Sequence, residues 1–203
     1  MHSKAITTSI FDLFKVGPGP SSSHTIGPMK AAYDFLTEIN HLPNTIFSTK
    51  LSIEIHLYGS LSATGKGHGT DRAIIAGLLG WKPDACDPVK FLKILKNPDE
   101  KYPVQFHEQR IEVNAEDFFF HKGKYDSPHA NTMVLKLKEG ENILLEHEYY
   151  SIGGGFIYRK GEKQQQANVP VPPYPYTTMK DLKAHLSREK ITLTELRWQT
   201  KWH

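Results

Sequence analysis

The sequence predicts an α+β fold: a mixed, largely antiparallel sheet with packed helices, followed by a linker and a short helical tail. Residues 51–58, LSIEIHLY, alternate strictly between apolar and polar side chains, as a half-buried strand does. The runs TMVLKLK and NILLEHEYY flank residues 139–141 and predict a β-hairpin whose turn type the residues do not determine. Helical patterns stand between these strands, and that mixed order favours an antiparallel sheet over regular βαβ winding.

Two helices are predicted before the first strand. Apolar residues at positions 10–14 predict a short helix that stops at VGPGP, where proline and glycine remove helix propensity and backbone donors. Apolar spacings of three and four predict a second helix over about residues 26–40. Thr25 is the predicted N-cap of this helix, and Pro28 is tolerated in its first turn.

A loop and two more helices are predicted after the first strand. Residues 59–71, GSLSATGKGHGTD, predict a glycine-rich loop, and the apolar pattern of residues 73–78 predicts a helix that Gly80 closes. Residues 87–96 predict a further short helix, ended by Pro98.

The composition shift after residue 160 divides the chain into three parts. Residues 1–160 form the predicted domain, and residues 161–177, polar and then proline-rich, form a predicted semi-rigid linker. In residues 178–203, T-x-x-D at position 178 and T-x-x-E at position 192 are capping-box patterns, and each predicts the start of a helix. A helical pattern that runs to the last residue suggests a fragment whose next domain is missing.

Composition excludes several classes of protein. The net charge of +3 comes from dispersed lysines and arginines, so no nucleic-acid partner is expected. No stretch resembles a secretory signal or a membrane span, which predicts a soluble, cytoplasmic protein that contacts no membrane. Cys86 is the single cysteine and excludes both an internal disulfide and a cluster held by several thiolates of this chain alone.

The first candidate site is the run Ser21-Ser22-Ser23-His24-Thr25, which precedes the predicted helix of residues 26–40. A helix N-terminus with adjacent hydroxyls favours a carboxylate or phosphate, and histidine adds a group that changes protonation near neutral pH. The alternative is a serine-rich turn that only caps the helix.

The second candidate site is the stretch from Lys66 to Asp71, where glycines on each side of His68 let the backbone approach a ligand. Lys66 would supply a positive charge, and Thr70 or Asp71 would cap the next helix. The alternative is a flexible loop with an exposed histidine. The Walker spacing is absent, and no G-x-S-x-G elbow supports a serine hydrolase triad of Ser22, His68 and Asp71.

Four other histidines, at positions 56, 121, 129 and 147, predict structural or solvated roles. None has an i, i+4 partner or a similar spacing that assembles a metal site. The sequence therefore predicts no metal site within this chain.

Four ordered segments resemble one family over nearly the whole chain. SIFDLFKVGPGPSSSHTIGPMKAA, LYGSLSATGKGHGTDRAIIAGLLG, HANTM and SIGGGFI are similar to the iron–sulfur-dependent L-serine dehydratases, also called L-serine ammonia-lyases. The tail VPPYPYTTMKDLKAHL resembles the connector and first helices that lead to the catalytic alpha domain of single-chain members. The resemblance implies that residues 1–160 are the beta domain, which is itself similar to an allosteric substrate-binding domain, and that residues 178–203 are a truncated start of the alpha domain.

The resemblance implies a lyase that converts L-serine to pyruvate and ammonia, with L-serine and the alpha domain as partners and a homo-oligomeric assembly. It also implies a [4Fe-4S] cluster whose cysteine ligands lie in the alpha domain, outside this chain, so that this chain alone is inactive. An open iron of the cluster would act as a Lewis acid on the departing hydroxyl while a base removes the α-proton.

The resemblance also assigns roles by motif. His68 in GKGHGT is implied as the base, and His24 in SSSHT as a second catalytic group that binds the carboxylate or relays a proton. The implied substrate-binding or orienting residues are Ser22, Ser23, Thr25, Lys66, Thr70 and Asn131. The alternative function is a non-catalytic, carboxylate-binding module for regulation or assembly.

Overall fold

The computed structural model describes residues 15–43, 50–97, 99–162, 174, 176 and 178–199. The chain divides into two compact units, one formed by Phe14–Glu162 and the other by Met1–Leu13 together with Lys163–His203. The helix predicted at residues 10–14 and most of the predicted linker lie outside the described residues. The three-part domain division stays a prediction.

A five-stranded sheet confirms the predicted α+β class. The strands of the chain are β1 Leu51–Tyr58, β2 Tyr102–Phe106, β3 Gln109–Val113, β4 Phe118–Phe120, β5 Asn131–Glu139, β6 Asn142–Gly153 and β7 Phe156–Arg159. The spatial order in the five-stranded sheet is β4-β1-β5-β6-β7; only β4 runs parallel to its neighbour β1, and the other pairs are antiparallel. A separate hairpin consists of β2 and β3.

Helices cover one face of this sheet. Ile53, Ile55 and Leu57 of β1 are fully buried on that face, as the alternation predicts. They belong to one apolar core with Phe35 and Ile74 of the packed helices. The helices of this unit are α1 Gly27–His41, α2 Gly59–His68, α3 Thr70–Leu78 and α4 Pro88–Phe91.

The prediction of a glycine-rich loop at residues 59–71 is wrong, because residues 59–68 form the helix α2. Leu61 and Gly65 are buried on the same side of this helix, and a Cβ on Gly65 would lie 3.0 Å from the Thr70 hydroxyl. Glycine here permits close packing rather than a flexible loop. The helix ends where Gly69 adopts φ +67°, and α3 begins at the next residue.

Thr25 is not the N-cap of α1, so that prediction is also wrong. One turn of π-helix, Ser22–Ile26, precedes α1, and Ser21 is its N-cap. The side chain of Ser21 accepts a hydrogen bond from the His24 amide. The hydroxyl of Thr25 instead donates to the carbonyl of His68, 43 residues away in the chain.

The second unit contains α5, Met179–Glu189, and α6, Leu193–Gln199. Both predicted capping boxes are confirmed: Thr178 exchanges hydrogen bonds with Asp181, and Thr192 does so with Glu195. Among the described residues, no helix combines the length and the apolar content that a bilayer crossing requires.

Candidate functional site

The two predicted histidines lie side by side. His24 belongs to the π-helical turn before α1, and His68 is the last residue of α2. Their ring centroids are 4.9 Å apart, with the ring planes tilted by 41°. The fold therefore brings together two candidate segments that are distant in sequence.

Two serine hydroxyls hold the His24 ring. The Nδ1 atom lies 2.9 Å from Ser23 Oγ, and Nε2 lies 3.0 Å from Ser60 Oγ at the start of α2. Both ring nitrogens therefore have a partner that either donates or accepts, which suits a group that passes a proton. Ser60 was not among the predicted site residues, although it lies in the GSLSATGKGH stretch that also contains Lys66 and His68.

Burial lowers the pKa of His24, and the neighbouring positive charge of protonated His68 lowers it further, against a smaller opposing effect of the hydrogen bond with Ser60. Both causes disfavour the imidazolium form. His24 is therefore neutral at neutral pH and does not act there as a fixed cation.

A backbone contact sets the tautomer of His68. Its Nδ1 atom lies 2.9 Å from the carbonyl oxygen of Thr64, one turn earlier in α2. Because a carbonyl oxygen only accepts, Nδ1 carries the hydrogen in this contact. In the neutral ring the lone pair is then on Nε2, so Nε2 is the atom that can accept a proton.

Thr25 and Thr70 join the two histidine segments reciprocally. Thr25 Oγ1 donates to the carbonyl of His68 at 2.9 Å, and Thr70 Oγ1 donates to the carbonyl of His24 at 2.6 Å. Both threonines are fully buried. Their hydroxyls thus satisfy buried backbone acceptors and hold the two histidines in register.

Asn131, Ser151 and Ser23 form a second connection. The Asn131 side-chain amide donates to the carbonyl of Ser151, and the Ser151 hydroxyl donates to the carbonyl of Ser23, at 3.0 and 2.7 Å. The carbonyl of Ala130 accepts the Ser60 amide at 2.8 Å. The HANTM segment is therefore connected to both serines that contact the His24 ring, to Ser23 through Ser151 and to Ser60 directly.

The remaining predicted residues lie around this pair in different ways. Ser22 is in the π-helical turn, where its carbonyl accepts the amide of Gly27. Lys66 lies on α2, but its ammonium group is 4.7 Å from the centroid of the Phe120 ring, a cation–π contact. Its charge is thus directed toward β4.

A cavity of about 300 Å³ opens beside His68. Arg72 of α3, Phe91 and Leu92 also line it, together with residues 18–20. Arg72 was not among the predicted site residues, because it follows the GKGHGTD motif directly and has the spacing of an ordinary polar helix position.

The described residues do not fit an iron–sulfur cluster. No group of three or more histidine, cysteine, aspartate or glutamate side chains among them can hold a metal ion. Burial raises the pKa of the Cys86 thiol, and the charge of Asp87 raises it further, which disfavours the thiolate that a cluster iron needs. A cluster requires several thiolates, and this sequence contains one cysteine.

A second pair of histidines, His56 and His121, lies at a different place in the fold. Their nearest nitrogens are 2.8 Å apart, their ring planes differ by 19° and their centroids are 5.1 Å apart. With nearly parallel rings at this separation, the two nitrogens point at each other, which is the geometry of an N–H···N hydrogen bond. A metal bound by both histidines would instead require both nitrogen lone pairs to point at the metal ion. His56 Nε2 also contacts Glu54 at 3.2 Å.

His129 has a hydrogen-bond partner, whereas His147 Nε2 is buried without one in the described part of the chain. The Nδ1 atom of His129 accepts the amide hydrogen of Asn131 at 3.1 Å. His147 Nε2 lies 3.7 Å from a carboxylate oxygen of Glu38 on α1. Neither histidine takes part in the pair formed by His24 and His68.

Comparison with known proteins gives a consistent family match. Residues 9–162 match the family model described as serine dehydratase beta chain. L-serine dehydratase 2 of Escherichia coli (strain K12) is 36% identical over 191 residues, which cover 93% of this chain and 42% of that protein. The L-serine dehydratase of Haemophilus influenzae is 36% identical over 191 residues, covering 92% and 41%, and that of Streptomyces coelicolor is 36% identical over 194 residues, covering 89% and 40%. The chain spans about two fifths of the length of these curated relatives.

Proposed function

This chain belongs to the serine dehydratase beta chain family, and we propose that it forms part of an L-serine ammonia-lyase that converts L-serine to pyruvate and ammonia. The observation that carries the proposal is the pairing of His24 and His68, 4.9 Å apart, inside the region that matches the family model. The names of the relatives, which are L-serine dehydratases, support L-serine as the proposed substrate.

The remaining chemistry of this lyase requires a second component. We propose that a [4Fe-4S] cluster is held by cysteines of an alpha domain outside this sequence, since the one cysteine here does not form a cluster site. The site of this chain would then face that domain in a cytoplasmic, homo-oligomeric enzyme. The chain alone would be inactive.

His68 is the proposed general base. Its Nε2 lone pair takes the proton from the α-carbon of L-serine, and an equivalent proton is returned to the β-hydroxyl, which leaves as water, so the elimination has no net change in protons. The resulting aminoacrylate tautomerises to an imine, which water hydrolyses to pyruvate and ammonia. A base is needed because the α-proton of an amino acid is weakly acidic.

His24 is the proposed proton relay. Its ring bridges the hydroxyls of Ser23 and Ser60, and its lowered pKa keeps it neutral and able to accept a proton from either side. A carboxylate is attracted more weakly by a neutral imidazole than by an imidazolium cation. For His24, the role of proton relay is therefore favoured over carboxylate binding.

Among the other predicted residues, Thr25, Thr70 and Asn131 are proposed to position the histidines, because their polar groups are committed to backbone carbonyls. Ser23 orients the His24 ring. Ser22 and Lys66 remain predicted substrate contacts.

The test is turnover of L-serine by the anaerobically reconstituted enzyme that contains this chain. His68→Ala and His24→Ala are each expected to lower kcat by roughly 10²- to 10⁴-fold, the usual contribution of a general acid or base. His41→Ala is the control, because the His41 side chain is 70% exposed at the end of α1. Near-normal turnover by the His68 variant would contradict its assignment as the base.

The alternative is a carboxylate-binding module that regulates or assembles a larger protein without taking part in catalysis. The cavity beside His68, with the cationic Arg72 in its wall, is the observation that favours it. Retained turnover in both histidine variants, together with loss of carboxylate binding, would select this alternative.

A further inference from the structure

We propose that Arg72 binds the α-carboxylate of the amino-acid substrate and thereby places the α-carbon next to His68. This inference rests on the proposed function, because it names how the same site holds its substrate. The evidence is the charge of Arg72, the volume and lining of the cavity, and the presence of His68 among the lining residues.

The Arg72 guanidinium lacks an acidic partner in the described part of the chain. Arg72 is half-buried, and none of the salt bridges found there, up to 4.0 Å, includes it. Asp71, its neighbour in sequence, accepts the backbone amide of Arg72 at 2.9 Å instead. A partly buried cation is stabilised by an anion, and the cavity leaves room for one.

Asp71 senses the charge of Arg72, but none of the ion pairs within 4.0 Å in the described residues joins the two side chains. Burial raises the pKa of the Asp71 carboxyl, while its hydrogen bond with the Arg72 amide and the charges of Arg72 and Lys66 act in the opposite direction. The charge of Lys66 is directed to the Phe120 ring. Lys66 does not line this cavity, so Arg72 is the residue in the cavity lining that carries a permanent positive charge.

The cavity has the size and lining for a small organic acid. Its volume of about 300 Å³ is at the lower end of the range for small-molecule sites. Phe91 and Leu92 provide apolar walls, and a Cβ on Gly67 would meet nothing within 4 Å, so the backbone of α2 is open to the ligand there. One cation with apolar walls fits a monocarboxylate better than a phosphate dianion.

Arginine is suited to this role because its planar guanidinium donates two parallel hydrogen bonds to a carboxylate. Binding at both oxygens fixes the direction of the bond from the carboxylate carbon to the α-carbon. Because His68 lines the same cavity, a substrate held by Arg72 has its α-carbon in the cavity that the His68 ring borders. Arg72 is thus a substrate-binding residue that orients the proton to be removed.

The test combines ligand binding to the 203-residue chain with steady-state kinetics of the reconstituted enzyme. By NMR, L-serine is expected to shift the Arg72 side-chain Nε–H resonance, whereas L-serinamide, in which a neutral amide replaces the carboxylate, is expected to leave it unchanged. In the enzyme, Arg72→Gln is expected to raise KM for L-serine roughly 10- to 100-fold, as for a lost charged hydrogen bond, with kcat within a few-fold. The Arg72→Lys enzyme, which keeps the positive charge, is expected to have a KM for L-serine between those of the wild type and of the Arg72→Gln variant.

Arg110→Gln is the matched control, because the Arg110 side chain on β3 is 57% exposed and pairs with Glu112. An unchanged KM in the Arg72→Gln enzyme, or an Arg72 resonance that L-serine and L-serinamide shift alike, would overturn the proposal. If the Gln variant does not fold, the NMR comparison on the wild-type chain decides. The two proposals can fail separately. If the Arg72 resonance responds to L-serine but not to L-serinamide while the enzyme shows no dehydratase activity, the proposed function is refuted and the carboxylate site at Arg72 is supported.

Discussion

His24 and His68 are neighbours whose surroundings give them different chemistry. His68 donates from Nδ1 to a backbone carbonyl and keeps its lone pair on Nε2. His24 has a serine hydroxyl at each nitrogen, and burial lowers its pKa. One ring thus has a fixed tautomer, and the other can change tautomer by moving hydroxyl hydrogens.

The electrostatic contact between the two rings gives a prediction about pH. Replacing His68 by Gln removes the like charge that lowers the pKa of His24, so this pKa is expected to rise. It is expected to stay below about 6.5, the ordinary value for histidine, because burial is the larger cause and remains. The measurement is an NMR titration of the His24 ring protons in the wild-type and variant chains.

His41→Gln is the control for this titration, since His41 lies at the far end of α1 and contacts Glu38. It is expected to leave the His24 titration unchanged. A pKa of His24 that is unchanged or lower in the His68 variant would contradict the charge coupling of the two rings.

Both histidines of the site could be identified from the sequence, but several of their partners could not. His24 and His68 lie in runs of hydroxyl and glycine residues, an unusual local composition. Thr25 was predicted as a helix cap because capping is a local interaction, whereas its actual partner is the carbonyl of His68. Ser60 likewise contacts a ring 36 residues away, a distance in sequence that no local pattern reveals.

At the scale of elements, the site depends on the close packing of α1 and α3. Gly77 of α3 lies against the backbone of α1, where an added Cβ would overlap the carbonyl oxygen of Met29 and lie 2.7 Å from Ala32 Cβ. α1 begins directly after the His24 turn, and α3 begins two residues after His68. A change in the spacing of these helices therefore moves the two histidines apart.

Gly77→Ala is expected to lower the free energy of unfolding by about 1–3 kcal/mol, the usual effect of overpacking. Gly67→Ala is the matched control, because it is also a helical glycine but a Cβ there meets nothing within 4 Å. It is expected to be neutral or stabilising by up to about 1 kcal/mol, as the helix propensity of alanine predicts. Urea denaturation of both variants measures the difference, and equal midpoints would argue against this packing contact.

The elements that were predicted correctly are those with a strong period. Strand β1 and the hairpin of β5 and β6 follow their alternation, and the boxes at Thr178 and Thr192 begin helices as predicted. Helix α2 was missed because three glycines and two serines lower its local propensity, while tertiary packing of Leu61 and Gly65 stabilises it. The short strand β4 and the hairpin of β2 and β3 were not identified in the sequence.

At the scale of the whole molecule, the main apolar core lies within one unit. Every described member of this core falls between Met29 and Tyr149, inside the unit Phe14–Glu162. Trp81 packs against the core, and it is the one tryptophan of this unit. The unit thus carries its own source of stability and its own fluorescent reporter.

A fragment of residues 14–162 is therefore expected to fold by itself. It should unfold in one cooperative urea transition, with coincident curves from circular dichroism and from Trp81 fluorescence. The full chain measured under the same conditions is the reference. A gradual loss of signal, or two separate transitions, would show that the core needs the second unit.

The reciprocal hydrogen bonds of Thr25 and Thr70 have a consequence for how the site comes apart. Each hydroxyl serves the carbonyl of the other histidine segment, so separating the segments leaves two buried carbonyls and two buried hydroxyls unpaired at once. Local unfolding of this region is consequently a single opening event for both segments. The site exists either complete or not at all, and a ligand that stabilises one histidine segment also protects the other.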